Sequence, residues 1–280
     1  MRQLIELLFL SKTIPLLSFM AGAFLVCFST CMIGFLIFLV KRKHGILDFF
    51  WGISISSSIM LLTLPRKAPY ISAAINLQEI GSSVLIYTIA PLFLFLIFVL
   101  LWGGRLTVFF LTRLTESGDD RRYVKLIQSS PKKMVTQCVI QATLQTLMAC
   151  TAYPLVSAMP TFSLVWVIIG TIIFLVGFFG EWVADRQASF FKATNTGICQ
   201  TGLWARSRHP NYFFECLLWL GLSLFLINTT SVGISFLGPL TIFIVTYFIT
   251  GPISERTSID RHGDAYRHYQ STTPYFFPRV

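Results

Sequence analysis

Two carboxylates, Glu181 and Asp185, stand four residues apart at the end of a long apolar stretch, and Asn211 and Glu215 repeat that spacing at the start of the next. Residues four apart share one face of a helix, so each pair would present its polar groups together. Between the pairs runs Gly202-Leu203-Trp204-Ala205-Arg206-Ser207-Arg208-His209-Pro210-Asn211-Tyr212, in which Pro210 suits the first turn of a helix carrying Asn211 and Glu215. A helix start offers free N–H groups and positive dipole, and with Arg206 and Arg208 just before it such a start makes a site for phosphate. A plainer reading has the arginines meeting lipid headgroups and His209 capping the helix. That reading leaves the carboxylates and the Asn unexplained.

Three further places carry polar groups at the edges of apolar stretches. Asp48 opens Asp48-Phe49-Phe50-Trp51-Gly52, either as a functional carboxylate or as a helix N-cap. A long connection holds Trp102-Gly103-Gly104-Arg105, Arg113 and Gly118-Asp119-Asp120-Arg121-Arg122-Tyr123, where mixed charge suggests an ordered loop. The tail holds Glu255, then Arg261-His262-Gly263-Asp264-Ala265-Tyr266-Arg267-His268-Tyr269 and Thr272-Thr273-Pro274-Tyr275-Phe276-Phe277-Pro278. Tyr266 and Tyr269 are three apart and can face one pocket, or the segment can lie on a membrane surface.

The elements that must position these residues are membrane helices. Of 280 residues 54% are hydrophobic and only 12% charged, too little polar surface to coat a water-soluble globule. Apolar runs at 14–40, 49–64, 84–102, 134–158, 163–182, 212–227 and 232–252 approach or exceed the ~20 residues that cross a hydrocarbon core of ~30 Å. The expected fold class is therefore all-α, a polytopic membrane protein of about seven spans forming one domain. Residues 1–130 would be the N-terminal, substrate-side helices and 131–280 the cofactor side. All 22 Lys and Arg except Arg2, Lys12, Arg66 and Lys67 fall after spans one, three, five and seven. Positive charge marks cytoplasmic connections, so the N-terminus is expected outside and the C-terminus inside, in a membrane read as the bacterial inner membrane. The net charge of +10 then reflects topology and anion binding, with no nucleic-acid partner required. The apolar run to Val40, without a small-residue cleavage site, argues against a cleaved signal peptide. Cys27 and Cys31 stand one helical turn apart without a C-x-x-C pair or His-rich set, so the six Cys read as packing residues and no metal is expected.

Taken together, Glu181-x3-Asp185-x-Gln187, Gly202-Leu203-Trp204, Ser207-Arg208-His209-Pro210-Asn211-Tyr212-x2-Glu215 and the Tyr266/Tyr269/Pro278 tail resemble the C-terminal domain of steroid 5-alpha-reductases, in a bacterial branch of unknown function. The Asp-x2-Trp-Gly at 48–52, the Trp-Gly-x-Arg-Leu at 102–106 and the loop Asp119-Asp120-Arg121-Arg122-Tyr123 extend the resemblance over most of the chain. It implies a seven-helix fold with a cytoplasm-facing cavity for NADPH and reduction of the carbon-carbon double bond of a conjugated enone. By motif position Asn211 and Glu215 would meet the nicotinamide end, with Tyr212 and Glu215 in catalysis. Glu181 and Asp185 would bind ribose or adenine-side groups. Lys192, Arg105, Arg122, Arg206 and Arg208 would hold phosphates, and Tyr123, His209, Tyr266 and Tyr269 would complete the cofactor site. Two departures matter: Trp102 stands where steroid-reducing members carry a ketone-polarising Tyr, and Glu181 where they carry an Asn. Trp102 cannot donate as a phenol does, which puts steroid itself in question and makes Asp48, protonated if buried, the candidate donor to a substrate carbonyl.

Two other classes share part of this pattern. Membrane methyltransferases resembling the isoprenylcysteine carboxyl methyltransferases also have an Arg-His-Pro-x-Tyr helix start and an acidic, Tyr-containing tail, and use S-adenosylmethionine. That cofactor carries no phosphate and gives no role to the inner-face Arg and Lys or to the Glu181/Asp185 pair. A non-enzymatic membrane protein, its basic face on anionic lipid or a partner, is the third class. No G-x-G-x-x-G follows a strand, which excludes a Rossmann site. A lipid-like substrate is implied by the apolar interior, and no oligomeric state is.

Overall fold

A chain this poor in polar groups must satisfy its backbone internally, and helices do so segment by segment. In the computed structural model the described residues are 15–41, 46–76, 85–116, 131–157, 162–229 and 231–279, and all regular structure among them is helical. The long helices are α1 (Leu16–Lys41), α2 (Ile46–Asn76), α3 (Ala90–Glu116), α4 (Pro131–Ala149) and α5 (Leu164–Thr194). They are followed by α6 (Pro210–Leu224), α7 (Leu237–Ile244), α8 (Gly251–His262) and α9 (Asp264–Thr272). A π-helical turn, Val245–Thr250, joins α7 to α8 in one continuous rod.

Six helical stretches among the described residues are long and apolar enough to span: Leu16–Val40, Ile46–Pro69, Tyr87–Arg113, Val135–Ser157, Leu164–Thr194 and Val232–His262. The chain is thus a helical membrane protein, close to the expected seven spans. The difference is the run at 212–227, which folds as α6, a helix of 15 residues. At 1.5 Å per residue it covers roughly 22 Å, shorter than the other spans. The run at 49–64, short and Ser-rich in sequence, belongs to a helix of 31 residues.

The chain divides into two compact units, residues 1–167 with 225–238, and 168–224 with 239–280. In the first, α1 packs on α2 and α4, and α2 on α3 and α4. The helix α4, grouped by sequence with the C-terminal part, thus belongs with the N-terminal helices. The buried stripe of α1 is Phe19, Ala23, Cys27, Cys31 and Phe35, a strict four-residue repeat on one face. Leu17, Leu25, Ile33 and Leu36 are exposed on the rest of α1, an apolar face compatible with lipid contact. The serines of α2 are interior. Ser56 Oγ donates to the Val99 carbonyl of α3 at 3.2 Å, and Ser58 Oγ and Cys27 Sγ are 3.2 Å apart. Small polar side chains of this kind hold membrane helices together.

Two motif glycines meet in this unit. A Cβ on Gly52 would run into the backbone of Gly103, and one on Gly103 into the Ser56 hydroxyl, so the helices α2 and α3 cross where only glycine fits. In the second unit α6 runs antiparallel to α5: a Cβ on Gly177 would lie 2.5 Å from the Leu218 nitrogen, and one on Gly221 2.6 Å from the Phe174 nitrogen.

Candidate functional site

The second unit gathers most of the residues singled out in the sequence, in two neighbouring groups. The first follows from the antiparallel pairing of α5 and α6. Glu181 is buried, 4% exposed, and Asp185 lies one turn further along the same helix. From α6, Asn211 Nδ2 donates to Asp185 Oδ1 at 3.4 Å, and Glu215 follows one turn later, half-buried. Glu181 and Glu215 both lie near enough to the Cys216 thiol to act on it electrostatically. Asn211 Oδ1 is buried and accepts no hydrogen bond among the described residues.

This group is rich in acceptors: three carboxylates and an amide oxygen, with the Asn211 NH2 already turned to Asp185. It suits a ligand that presents N–H and O–H groups, such as a carboxamide, an amine or sugar hydroxyls. Among the described residues no group of three His, Cys, Asp or Glu can hold a metal ion.

The connection between α5 and α6 is bound to the end of α5 close to the carboxylates. Gly202 adopts φ +60°, the left-handed region, and a Cβ there would lie 2.5 Å from the Gln187 side chain. The Leu203 N–H donates to Gln187 Oε1 at 2.9 Å, and Trp204 Nε1 donates to the Ala184 carbonyl at 2.9 Å. Gln187 and Trp204 therefore set where the connection leaves α5. Pro210 opens α6 as its spacing predicts. The His209 N–H is taken by Ser207 Oγ at 3.1 Å, and Ser207 Oγ donates to the Phe276 carbonyl at 2.8 Å.

The second group centres on Arg208 and Glu255. Arg208 Nε donates to Glu255 Oε1 at 2.6 Å and Nη2 to Oε2 at 3.4 Å, while Nη1 donates to the carbonyls of Gln270 at 2.8 Å and Thr273 at 2.7 Å. Gln270 Nε2 donates to Glu255 Oε2 at 2.7 Å, and His209 Nε2 lies 3.4 Å from Glu255 Oε1. The guanidinium also sits over the Tyr275 ring, 5.4 Å from its centroid. Every nitrogen of Arg208 thus has a protein partner, and its charge is neutralised by Glu255 rather than offered to phosphate.

The tail is strapped to the connection by backbone bonds as well, Arg208 N–H to the Pro274 carbonyl and Arg279 N–H to the Arg206 carbonyl, both 2.9 Å. Tyr269 OH donates to the Trp204 carbonyl and Tyr275 OH to the Tyr247 carbonyl in the π-helical turn. Gly251 follows that turn, and a Cβ there would meet the Tyr275 hydroxyl. The His209 and Tyr212 rings stack 5.2 Å apart. Burial pushes the Tyr266 phenol up to about 12 and the Tyr269 phenol up as well, so both stay protonated at neutral pH. Of the residues expected around a cofactor, Arg208, His209 and Tyr269 also fasten the tail, and Tyr266 is buried beside Tyr269.

The remaining candidates stand elsewhere. Lys192, near the end of α5, and Arg206 are exposed. Asp48, Trp102 and Arg105 belong to the first unit: Asp48 is half-buried inside the first turn of α2 rather than ahead of it, Trp102 is fully buried and Arg105 is half-buried. Arg122 and Tyr123, with Asp119 and Asp120, lie outside the described residues. Sequence reasoning gave no role to Glu255, Gln270 or Ser207. The one available signal was a lone carboxylate, Glu255, beside a tail rich in bases and aromatics.

No curated protein and no solved structure matches this chain. A family of proteins of unknown function, DUF1295, matches residues 34–273, a range that takes in all six residues of the two groups from Glu181 to Glu255 that carry formal charge or the orphaned amide. Over that range, and so over most of its length, the chain belongs to DUF1295.

Proposed function

We propose that this protein is a membrane reductase that uses NADPH to saturate a carbon-carbon double bond conjugated to a carbonyl in a lipid substrate. The observation that carries the reading is the orphaned, buried Asn211 Oδ1 amid Glu181, Asp185 and Glu215. A nicotinamide carboxamide offers the N–H donors that this oxygen lacks, and ribose hydroxyls suit the carboxylates. The resemblance of the same residues to the steroid 5-alpha-reductase C-terminal domain supports that choice.

Bound there, NADPH would supply a hydride for the beta carbon of the enone, with a proton arriving at the alpha carbon to leave a saturated carbonyl compound and NADP+. The chain's part is to hold and orient: Asn211 and Glu215 fix the carboxamide end, and Glu181 with Asp185 receives hydroxyls. Gln187 and Trp204 hold the connection beside them, and Arg206 and Lys192, both exposed, are cations that suit phosphates. The basic connections favour a site that faces the cytoplasm.

The Arg208–Glu255 pair favours a second reading, S-adenosylmethionine and methyl transfer, because it withdraws one cation from phosphate binding, while an ammonium and ribose also suit an acceptor-rich group. Reconstituted protein given NADPH and a series of lipid enones separates the two. Enone-dependent loss of NADPH absorbance with matching saturated product supports reduction. Methyl transfer from labelled S-adenosylmethionine without NADPH loss overturns it.

A further inference from the structure

The end of the tail alternates between interior and surface. Phe276 is buried against Phe213 and Phe243, with ring centroids 6.2 and 5.6 Å away, whereas Phe277 is 63% exposed with its ring 6.0 Å from Phe213. What meets Phe277 depends on how deep Phe213 lies, and the pairing of α5 with α6 fixes that. A Cβ on Gly180 would run into the Phe214 ring, so the first turn of α6 stands level with the stretch of α5 that holds Trp182. Trp182 is 46% exposed, and the Arg186 guanidinium lies over its ring, 5.5 Å from the centroid. A Trp turned outward near the end of an apolar span, with a cation one turn beyond it, marks the level of the lipid headgroups. Phe277, against Phe213, stands at that level, where acyl chains give way to headgroups.

Two residues later the tail brings one cation beside another. The Arg279 N–H donates to the Arg206 carbonyl at 2.9 Å, so the backbone holds two exposed arginines next to each other. Neither takes part in an ion pair among the described residues, unlike Arg208, whose charge Glu255 answers. Neighbouring guanidiniums repel unless an anion lies between them, and their forked N–H groups match phosphate oxygens. An exposed ring at headgroup depth followed by paired cations is complementary to one partner, a lipid with an apolar chain below and a negative phosphate above.

We propose that Arg206 and Arg279 hold the phosphate of an anionic phospholipid whose acyl chains receive Phe277, so that the tail is anchored to the bilayer on the side where α5 ends. The reductase reading also suits Arg206 to a phosphate but makes no use of Arg279 or Phe277, and the lipid site needs no nucleotide.

The test is photolabelling of detergent-purified protein, without NADPH, by a phosphatidylglycerol that carries a diazirine near the glycerol end of one acyl chain, followed by peptide mapping. Label should fall on the tail peptide that holds Phe277. Unlabelled phosphatidylglycerol should compete for that label better than phosphatidylcholine. In Arg279→Gln the preference should shrink about fivefold, the share of one cation near an anionic headgroup. The Arg279 side chain is exposed and its backbone bond survives the substitution, so the variant keeps the fold. Phe277→Ser should weaken labelling by both lipids alike. Label confined to other segments, equal competition by the two lipids, or a preference unchanged in Arg279→Gln overturns the proposal. So does displacement of the label by inorganic pyrophosphate, the result if these arginines serve a nucleotide instead. Because NADPH is absent throughout, failure of the reductase reading leaves this result untouched.

Discussion

Arg208 Nε and Glu255 Oε1 lie 2.6 Å apart, with side chains only 10% and 12% exposed. This pair joins the connection before α6 to the rod that ends in α8, and through the carbonyls of Gln270 and Thr273 it holds the tail. Breaking a buried pair on one side leaves the other charge uncompensated. Arg208→Ala or Glu255→Gln should therefore cost about 3 kcal/mol of stability. Arg208→Lys should recover little of it, because an ammonium cannot make the forked contact. Thermal unfolding in detergent measures both; a loss below about 0.5 kcal/mol, the range of an exposed pair, would contradict the clamp.

The buried phenols of the tail give a pH dependence of definite sign. An unfolded Tyr loses its proton near pH 10, whereas folded Tyr266 holds its proton to about 12. Between those values the folded state binds more protons, so stability is present in full below pH 10 and falls as pH rises through about 12. Tyr266→Phe should flatten that decline, as followed by phenolate absorbance and unfolding at each pH.

The crossing of α2 and α3 depends on contact between two glycines. Gly103→Ala should push the helices apart and cost about 1–3 kcal/mol, the usual penalty of overpacking. Gly104→Ala is the control, since a Cβ there meets nothing within 4 Å. Equal melting temperatures for the two variants would rule the crossing out as the cause.

Orientation has its own test. If the basic connections are cytoplasmic, a green fluorescent protein fused after Val280 should fluoresce in a bacterial host and an alkaline phosphatase at the same place should stay silent. The reverse pattern would invert the assigned topology.

The membrane helices were legible because apolar runs of span length have few alternatives, and α5 matched its expected start within a residue. The length of α2 was not, since its serines look polar in sequence and become interior only when α1 and α3 supply partners. That Glu181 shares a face with Asp185, and Asn211 with Glu215, followed from helical spacing, whereas the contact of Asn211 with Asp185 appears only when α5 and α6 pack antiparallel. Arg208 misled: beside a helix start it has the signature of a phosphate ligand, and what diverts it is Glu255, 47 residues away.

The central claim is that the acceptor group of α5 and α6 binds NADPH, and the most direct measurement is ligand-linked thermal stabilisation of the detergent-purified protein. NADPH, NADH and S-adenosylmethionine should be compared on the natural protein, on Asn211→Ala and on Glu215→Gln, leaving Arg208 intact because it holds the fold. Stabilisation by NADPH of about 3 kcal/mol at a hundredfold excess over Kd, lost in both variants while their ligand-free melting temperatures stay unchanged, is the predicted result. No response to NADPH, or a response undiminished by both substitutions, would contradict it.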